Sequence, residues 1–280
     1  MTQGKHNKQK QQVQQLFDTI AGGYDNPSMR LFPFVADKLV SIARLAPGEK
    51  VLDVATGTGM VAIAAAQMVA PQGRVMAIDM SQQMLDKADI NIKKLTSGNV
   101  DLFEMDADSL DFRSNYFHAV LCSFGIFFLP DMLAGLKEWV RVTREGGRVA
   151  FTSFGMQAFQ PMAALFRERI QEFGVELPDQ EKVAWYLMSD PDYCEELQTQ
   201  AGLKEVEVTS RQMGYHMNNA DDWWEVVWNS GMRDMVGRLS ADDLSQFRKQ
   251  HLADVSALVT DKGLWMDVET IFSKGIKPEK

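Results

Sequence analysis

Apolar positions along the chain follow two rhythms. Residues 8–20 place Val13, Leu16, Phe17 and Ile20 at helical spacing, and the turn-rich stretch Ala21-Gly22-Gly23-Tyr24-Asp25-Asn26-Pro27 ends that helix. A second helix over about 30–45 is expected to pack Phe34, Val35, Leu39 and Ile42, until Pro47-Gly48 resets the chain. Short β-prone runs follow at 50–54, at 74–78 closed by Asp79, at 100–105, at 117–124 and, after the turn Gly146-Gly147, at 148–153. The fourth is nearly all apolar, as a strand covered on both faces should be. Helices fill the intervals: one over 59–69, one capped by Ser81 that buries Met84, Leu85, Ala88 and Ile92, and one from Pro130-Asp131 to Val142. Strands recurring about every 25 residues with helices between them predict a parallel, doubly wound sheet.

After Ser153 the rhythm loosens. Residues 157–188 read as helical and amphipathic with an irregular stretch near Gly174 to Pro178, Asp192 to Ala201 as a helix, and Leu203 to Ser210 as a sixth strand. The segment 220–258 reads as two helices, with Trp223, Trp224, Val227 and Trp228 in the first, and 264–271 returns to β character. The expected fold is α/β: a doubly wound, mostly parallel seven-stranded sheet (Rossmann-like) with helical cap insertions.

Composition narrows the functional classes. The net charge of −9 argues against a nucleic-acid partner held by a broad basic surface. Cys122 and Cys194 stand alone, with neither a disulfide framework nor zinc spacing, so no metal site is expected. The polar Met1 to Gln15 lacks the apolar core of a signal peptide, and no run approaches the ~18 apolar residues of a membrane span. A cytoplasmic protein is expected.

The chemistry concentrates in Val51-Leu52-Asp53-Val54-Ala55-Thr56-Gly57-Thr58-Gly59-Met60-Val61-Ala62, a strand, a glycine turn and the start of a helix. Glycine lets backbone lie against a ligand, and the helix N-terminus aims free N–H groups at the same spot. Gly57-x-Gly59-x-x-Ala62 followed by Asp79, 20 residues after Gly59, also fits a dinucleotide site, in which the acid grips a ribose. Asp53 separates the two. A carboxylate at the end of the first strand suits a ligand bearing an ammonium and a sulfonium better than one bearing phosphates.

That stretch, followed in order by Ala77-Ile78-Asp79-Met80-Ser81, Met105-Asp106-Ala107 and Trp139 to Arg148, resembles the class I S-adenosylmethionine (SAM)-dependent methyltransferases over about residues 15–155. Phe17 to Asp25 is similar to the leading segment of the ubiquinone/menaquinone-biosynthesis C-methyltransferase group and its small-molecule relatives. The chain departs from that group after Tyr24-Asp25 and in its aromatic-rich helices at 220–258. The resemblance implies SAM as cofactor, S-adenosylhomocysteine as product, and a small acceptor, aromatic or apolar, methylated at C, O or N. It implies three regions: N-terminal helices over the site (1–46), a SAM-binding core (47–155), and the remaining sheet with cap insertions at about 156–190 and 220–260 (156–280).

The same resemblance assigns roles. Gly57, Gly59 and Ala55 belong to the turn along the methionine moiety, and Asp53 holds its ammonium, directly or through water. Asp79 accepts both ribose hydroxyls, Met80 packs on adenine, Asp106 accepts from the adenine amino group and the Ala107 N–H meets a ring nitrogen. Ser123 and Phe124 pass the methionine end, over which Tyr24 closes. For the acceptor, Arg30, Asp25, Phe124 and Trp223 are candidates. The tryptophans suit either a core or an aromatic wall.

Methyl transfer needs a nucleophile in line with the S–CH3 bond and, for some acceptors, a base. His216 is the candidate base; His118 reads as structural and His251 as solvated in a charged helix. An NAD(P)-dependent oxidoreductase and a non-catalytic SAM-binding protein remain alternatives. The acidic balance, and Ser123-Phe124-Gly125-Ile126 in place of an Asn/Asp-Pro-Pro-Tyr/Phe element, count against an RNA methyltransferase. A homodimer is compatible with all of these readings.

Overall fold

A computed structural model describes residues 2–96, 98–179 and 183–279. Helix α1 (Thr2–Ile20) runs into the 3-10 turns Ala21–Gly23 and Pro27–Met29, and α2 (Leu31–Ala43) follows. The alternation then proceeds through β1 (Lys50–Val54), α3 (Met60–Val69), β2 (Arg74–Asp79), α4 (Gln82–Leu95), β3 (Val100–Glu104), β4 (Phe117–Ser123), α5 (Met132–Val142) and β5 (Thr143–Phe154). Next come α6 (Met162–Glu172), α7 (Ala184–Leu187), α8 (Pro191–Gln200), β6 (Lys204–Gln212) and β7 (Tyr215–Met217). The chain closes with α9 (Ala220–Trp228), α10 (Arg233–Val236), α11 (Ala241–Ser256), β8 (Leu264–Met266) and β9 (Glu269–Ile276).

Seven strands form one sheet in the order β3-β2-β1-β4-β5-β9-β6. The pairings from β3 to β5 are parallel, and β9 runs antiparallel to both β5 and β6. Alternation along each strand divides the core. Val51, Val75, Ala119 and Leu121 face one cluster, under α2 and α3, whereas Leu52, Ile78, Val120 and Phe151 face the other, under α5 and α8. Side-chain caps start the helices where turn residues stand: Ser81 for α4, Asp131 for α5, Asn219 for α9 and Ser240 for α11. The first cluster continues without a break into Phe166 of α6, Trp223 of α9 and Phe247 of α11. Cap and sheet therefore share one core.

The structure corrects several expectations. Phe34 is 46% exposed, because Val35 and Leu39 take the buried stripe of α2. The fifth strand starts at Thr143, paired with Phe117, and absorbs the glycine pair through an irregular register. Gly147 permits this: a Cβ there would stand 3.0 Å from the His118 carbonyl oxygen and 2.8 Å from that of Arg144. The segment 220–258 holds a third, single-turn helix, α10, and the final β region splits into β8 and β9. β8 pairs with β7, a strand the apolar pattern did not announce. Within the expected helical stretch 157–188, residues 180–182 lie outside the described residues.

Candidate functional site

The sheet order places β1 between β2 and β4, so connections leave the carboxyl ends of β1 and β4 in opposite directions and open a crevice between them. Both walls are built from backbone in the left-handed region. Gly57 (φ 54°) and Gly59 (φ 90°) adopt it freely, but Ala55 (φ 53°) and Phe124 (φ 54°) do so against the Cβ clash, at about 1–2 kcal/mol each. Between them Gly125 must lack a side chain, since a Cβ would meet Cys122 Sγ at 2.7 Å and Ala55 Cβ at 2.8 Å. Strain paired across a switch point marks a place where backbone is shaped for something other than packing.

Four carboxylates surround the crevice. Asp53 is 1% exposed; Thr56 Oγ1 donates to its Oδ2 at 2.5 Å, while its Oδ1 is buried without a hydrogen-bond partner. Burial pushes its carboxyl up to about 7, against the lowering bond from Thr56. Asp79, at the end of β2, accepts the Gly57 N–H at 2.8 Å on one oxygen and the Ser81 N–H at 2.9 Å on the other. Burial raises its carboxyl, and these backbone bonds oppose the rise. Asp106 and Asp108, beyond β3, both bind the Lys10 ammonium, at 2.7 and 2.6 Å. Burial would lower that ammonium, but the two carboxylates outweigh it and raise it, so Lys10 stays charged.

A cavity of about 80 Å³ lies among these groups. Of the residues expected at a cofactor, Tyr24, Ala55, Gly57, Asp79, Met80, Asp106, Ala107, Ser123 and Phe124 line it. Gly59 and Asp53 lie behind that wall. Gly59 sits where a Cβ would press on Ala88 at 3.3 Å, and so sets how closely α3 approaches α4. Trp139 of α5, fully buried, donates its indole N–H to the Ala107 carbonyl at 2.7 Å and so fixes the far wall from below.

Helix α1 closes the crevice from above. Lys10, Gln14 and Asp18 repeat at four-residue spacing on one face. They grip Asp106 and Asp108, the Met80 carbonyl (2.7 Å) and the Ser81 hydroxyl (2.6 Å). Val13 and Phe17 then face the cavity. Beside it, seven rings form a closed circuit. Phe17 meets Tyr24 (6.2 Å), which stacks on Phe32 (4.6 Å), and Phe32 meets Phe124 (6.0 Å). Phe124 stacks on Phe154 (4.1 Å), which leads through Phe127 (6.0 Å) and Phe128 (4.9 Å) back to Phe17 (5.1 Å). Burial, then Asp79, pushes the Tyr24 phenol well above its ordinary range, so it stays protonated.

Other candidates stand elsewhere. His216 is exposed on the outer face of β7, edge-on to Trp265 at 5.0 Å, because its neighbours Tyr215 and Met217 take the inner face. Arg30 lies over the Tyr215 ring at 4.1 Å and donates to the His216 carbonyl at 2.5 Å, holding ribbon to α2. Trp223 is fully buried and donates to His251 Nε2 at 2.8 Å. His251, expected in solvent, is therefore core, and burial holds its imidazole down to about 4. His118 accepts the Lys50 N–H, a structural role. Asp25 is exposed and accepts from Asn91 at 2.9 Å. Among the described residues no cluster of three or more His, Cys, Asp or Glu could hold a metal.

Sequence reasoning gave no site role to Lys10, Gln14, Gly125, Phe128 or Trp139, although Gly125 and Trp139 stand in stretches quoted there. Only Gly125 carried a signal, as a small residue directly after a strand end; the others depend on which elements meet.

The profile of the ubiE/COQ5 methyltransferase family matches residues 4–219. Aklanonic acid methyltransferase DauC of a Streptomyces species is 35% identical over 144 residues, 51% of this chain and 66% of that protein. Demethylmenaquinone methyltransferase of Geobacillus kaustophilus is 32% identical over 167 residues, 58% of this chain and 70% of the relative. Among solved structures, a SAM-dependent methyltransferase from Aquifex aeolicus superposes with a TM-score of 0.52 at 23% identity, over 70% of this chain and 90% of the other, a likeness of fold.

Proposed function

This chain belongs to the ubiE/COQ5 methyltransferase family, SAM-dependent enzymes acting on small molecules, and on that premise we propose that its acceptor is flat and largely apolar. The observation that carries the reading is the closed circuit of seven aromatic rings, whose Phe124 and Tyr24 also line the cavity. The relatives named for aklanonic acid and demethylmenaquinone agree with such an acceptor. Family membership removes the dinucleotide alternative, and with it the reading of the glycine turn as a phosphate cradle.

The residues fit the cofactor. Asp53 Oδ1, buried without a partner behind the cavity wall, is the oxygen left for a cation directly or through water; Asp79 stands at the second strand end with both oxygens already ordered by backbone N–H groups. We assign Asp53 to the methionine ammonium, Asp79 to the ribose hydroxyls, and Asp106 with Ala107 to the adenine edge. Gly57, Ala55 and Ser123 form the wall along the methionine portion, and Met80 the face toward adenine. When bound, SAM supplies an activated methyl group. The chain orients the acceptor and keeps water out, with Phe17, Tyr24 and Phe124 around the transfer point. Among the described lining residues none is a free base. Lys10 is held charged by two carboxylates, Tyr24 is held neutral, and Asp79 and Asp106 are committed to the cofactor. The acceptor must therefore ionise readily by itself, as an acidic phenol, enol or carboxylic acid does. His216 and Trp223 have no place in this scheme.

The test joins binding to turnover. Calorimetry should show S-adenosylhomocysteine binding that falls about 100-fold in Asp79→Ala, the loss of two charge-assisted hydrogen bonds. Incubation with SAM and a panel of hydroxynaphthoquinols, aromatic acids and aliphatic amines should give methylated aromatic products alone by mass spectrometry. Methylation confined to the amines would overturn the acceptor class.

A further inference from the structure

The tryptophan cluster of α9 is not used by the site above, and the structure divides it. Trp223 is fully buried in the core; Trp224, also buried, and the partly buried Trp228 stack on each other at 5.9 Å and 28° and wall a separate cavity of about 630 Å³ between α9 and α11. That volume lies in the range of about 300–1,000 Å³ typical of small-molecule sites. The floor is completed by Leu244 and Leu252, and Arg248 and Lys249 stand at the mouth.

The indoles form the middle of a longer stack. Arg248 lies over the Trp224 ring at 5.2 Å, and Arg233 covers the Trp228 ring at 3.0 Å. Arg233 Nη1 is buried without a hydrogen-bond partner. Two cations flanking two indoles polarise the rings and concentrate positive charge in a chain whose net charge is −9. One acid, Glu225, also lines the cavity. Its Oε2 is held away by the amides of Asn26 at 3.0 Å and Asn229 at 3.1 Å, and Asp221 touches Arg248 only at the exposed rim, 3.4 Å away. The half-exposed Arg248 can turn inward and present its guanidinium fork to a carboxylate. The family match ends at residue 219, before any of these side chains.

We propose that the cavity between α9 and α11 is a second small-molecule site, which takes a planar aromatic carboxylate edge-on against Trp224 and Trp228 with its anion on Arg248 and Lys249. This inference does not rest on the acceptor class assigned above, because its site shares no residue with the cofactor crevice.

The probe is 2-naphthoate, with 2-naphthalenemethanol as its neutral counterpart, titrated into the 15N-labelled full chain saturated with S-adenosylhomocysteine. Indole N–H resonances are followed and assigned through Trp224→Phe and Trp228→Phe. The expected result is a saturable shift of the Trp224 and Trp228 signals by naphthoate below about 1 mM, at least tenfold weaker with the alcohol. Arg248→Glu with Lys249→Glu should abolish that shift and leave S-adenosylhomocysteine affinity unchanged, which also certifies the fold of the variant. Three results would overturn the proposal. They are no shift at 1 mM, a shift that survives the double charge reversal, or signals that depend on protein concentration rather than probe, which would make the groove an interface between two copies of this chain.

Discussion

The two cavities of this molecule are opposites. The one at the strand ends is about 80 Å³, ringed by carboxylates, roofed by a helix and walled by strained backbone. The one in the cap is about 630 Å³, open, flanked by cations and walled by two indoles in relaxed helices. Size alone would choose the second as the principal site. Chemistry chooses the first, because there a buried unpartnered carboxylate oxygen and left-handed backbone at Ala55 and Phe124 come together at the strand ends. Volume in a closed structure measures how far a site has shut; polar atoms without partners measure what it awaits.

The largest expected effect lies beneath the smaller cavity. Trp139→Ala removes a fully buried indole and its bond to the Ala107 carbonyl, and should cost about 3–5 kcal/mol in urea unfolding. A cost under about 1 kcal/mol would show that the Ala107 wall is held some other way.

The next effect concerns the cap. His251 is neutral in the fold down to about pH 4 because it is buried, whereas in the unfolded chain it takes a proton near 6.5. Its folded value being the lower, stability is complete above pH 6.5 and falls as pH drops toward 4, by about 3 kcal/mol. Replacement by Phe should flatten that slope. Since cap and sheet share a core, the Trp224 and Trp228 indole signals and cofactor binding should vanish together as pH falls. Loss of the indole signals first would divide the molecule into two cooperative units.

Asp53 sharpens the contrast in charge. Burial holds it protonated below about pH 7, so placing a ligand ammonium on its unpartnered oxygen must release a proton. Calorimetry of S-adenosylhomocysteine binding at pH 6.5, in buffers of differing ionisation enthalpy, should report up to about one proton released; Asp53→Asn should report none. Binding of a ligand in the cap groove should release none in either protein.

The smallest effect belongs to the roof. The partly exposed pairs of Lys10 with Asp106 and Asp108 are worth about 0.5–1 kcal/mol. Lys10→Met should therefore speed both association and dissociation of S-adenosylhomocysteine in stopped flow while changing affinity by less than about threefold. A tenfold weaker complex would make Lys10 a direct ligand rather than a latch.

Legibility in the sequence followed the range of the forces involved. Ser81 as a cap, the stripe Met84, Leu85, Ala88 and Ile92, and the glycine turn are local, and each stands in the structure where local rules put it. The strand ends carrying Asp79, Asp106 and Ser123 follow from strand order alone, hence their convergence on one crevice. His216 failed by one residue of parity, since nothing in its short strand reveals which neighbour faces inward until β8 pairs with it. His251 looked solvated among charges, and only the indole of Trp223, 28 residues away, makes it core. Lys10 looked like one more surface lysine in a polar helix until Asp106 and Asp108 came beneath it.

The attachment of the two roofs differs as well. The cap leaves the sheet after β6 and returns through β9, the strand inserted between β5 and β6, so it is stitched into the sheet at both ends. Helix α1 joins the body through the turn Ala21–Gly23 at its C-terminal end, and over the crevice it is held by the side-chain grips of Lys10, Gln14 and Asp18. Opening the crevice therefore needs only the loss of those grips, whereas lifting the cap would part β9 from its neighbours in the sheet.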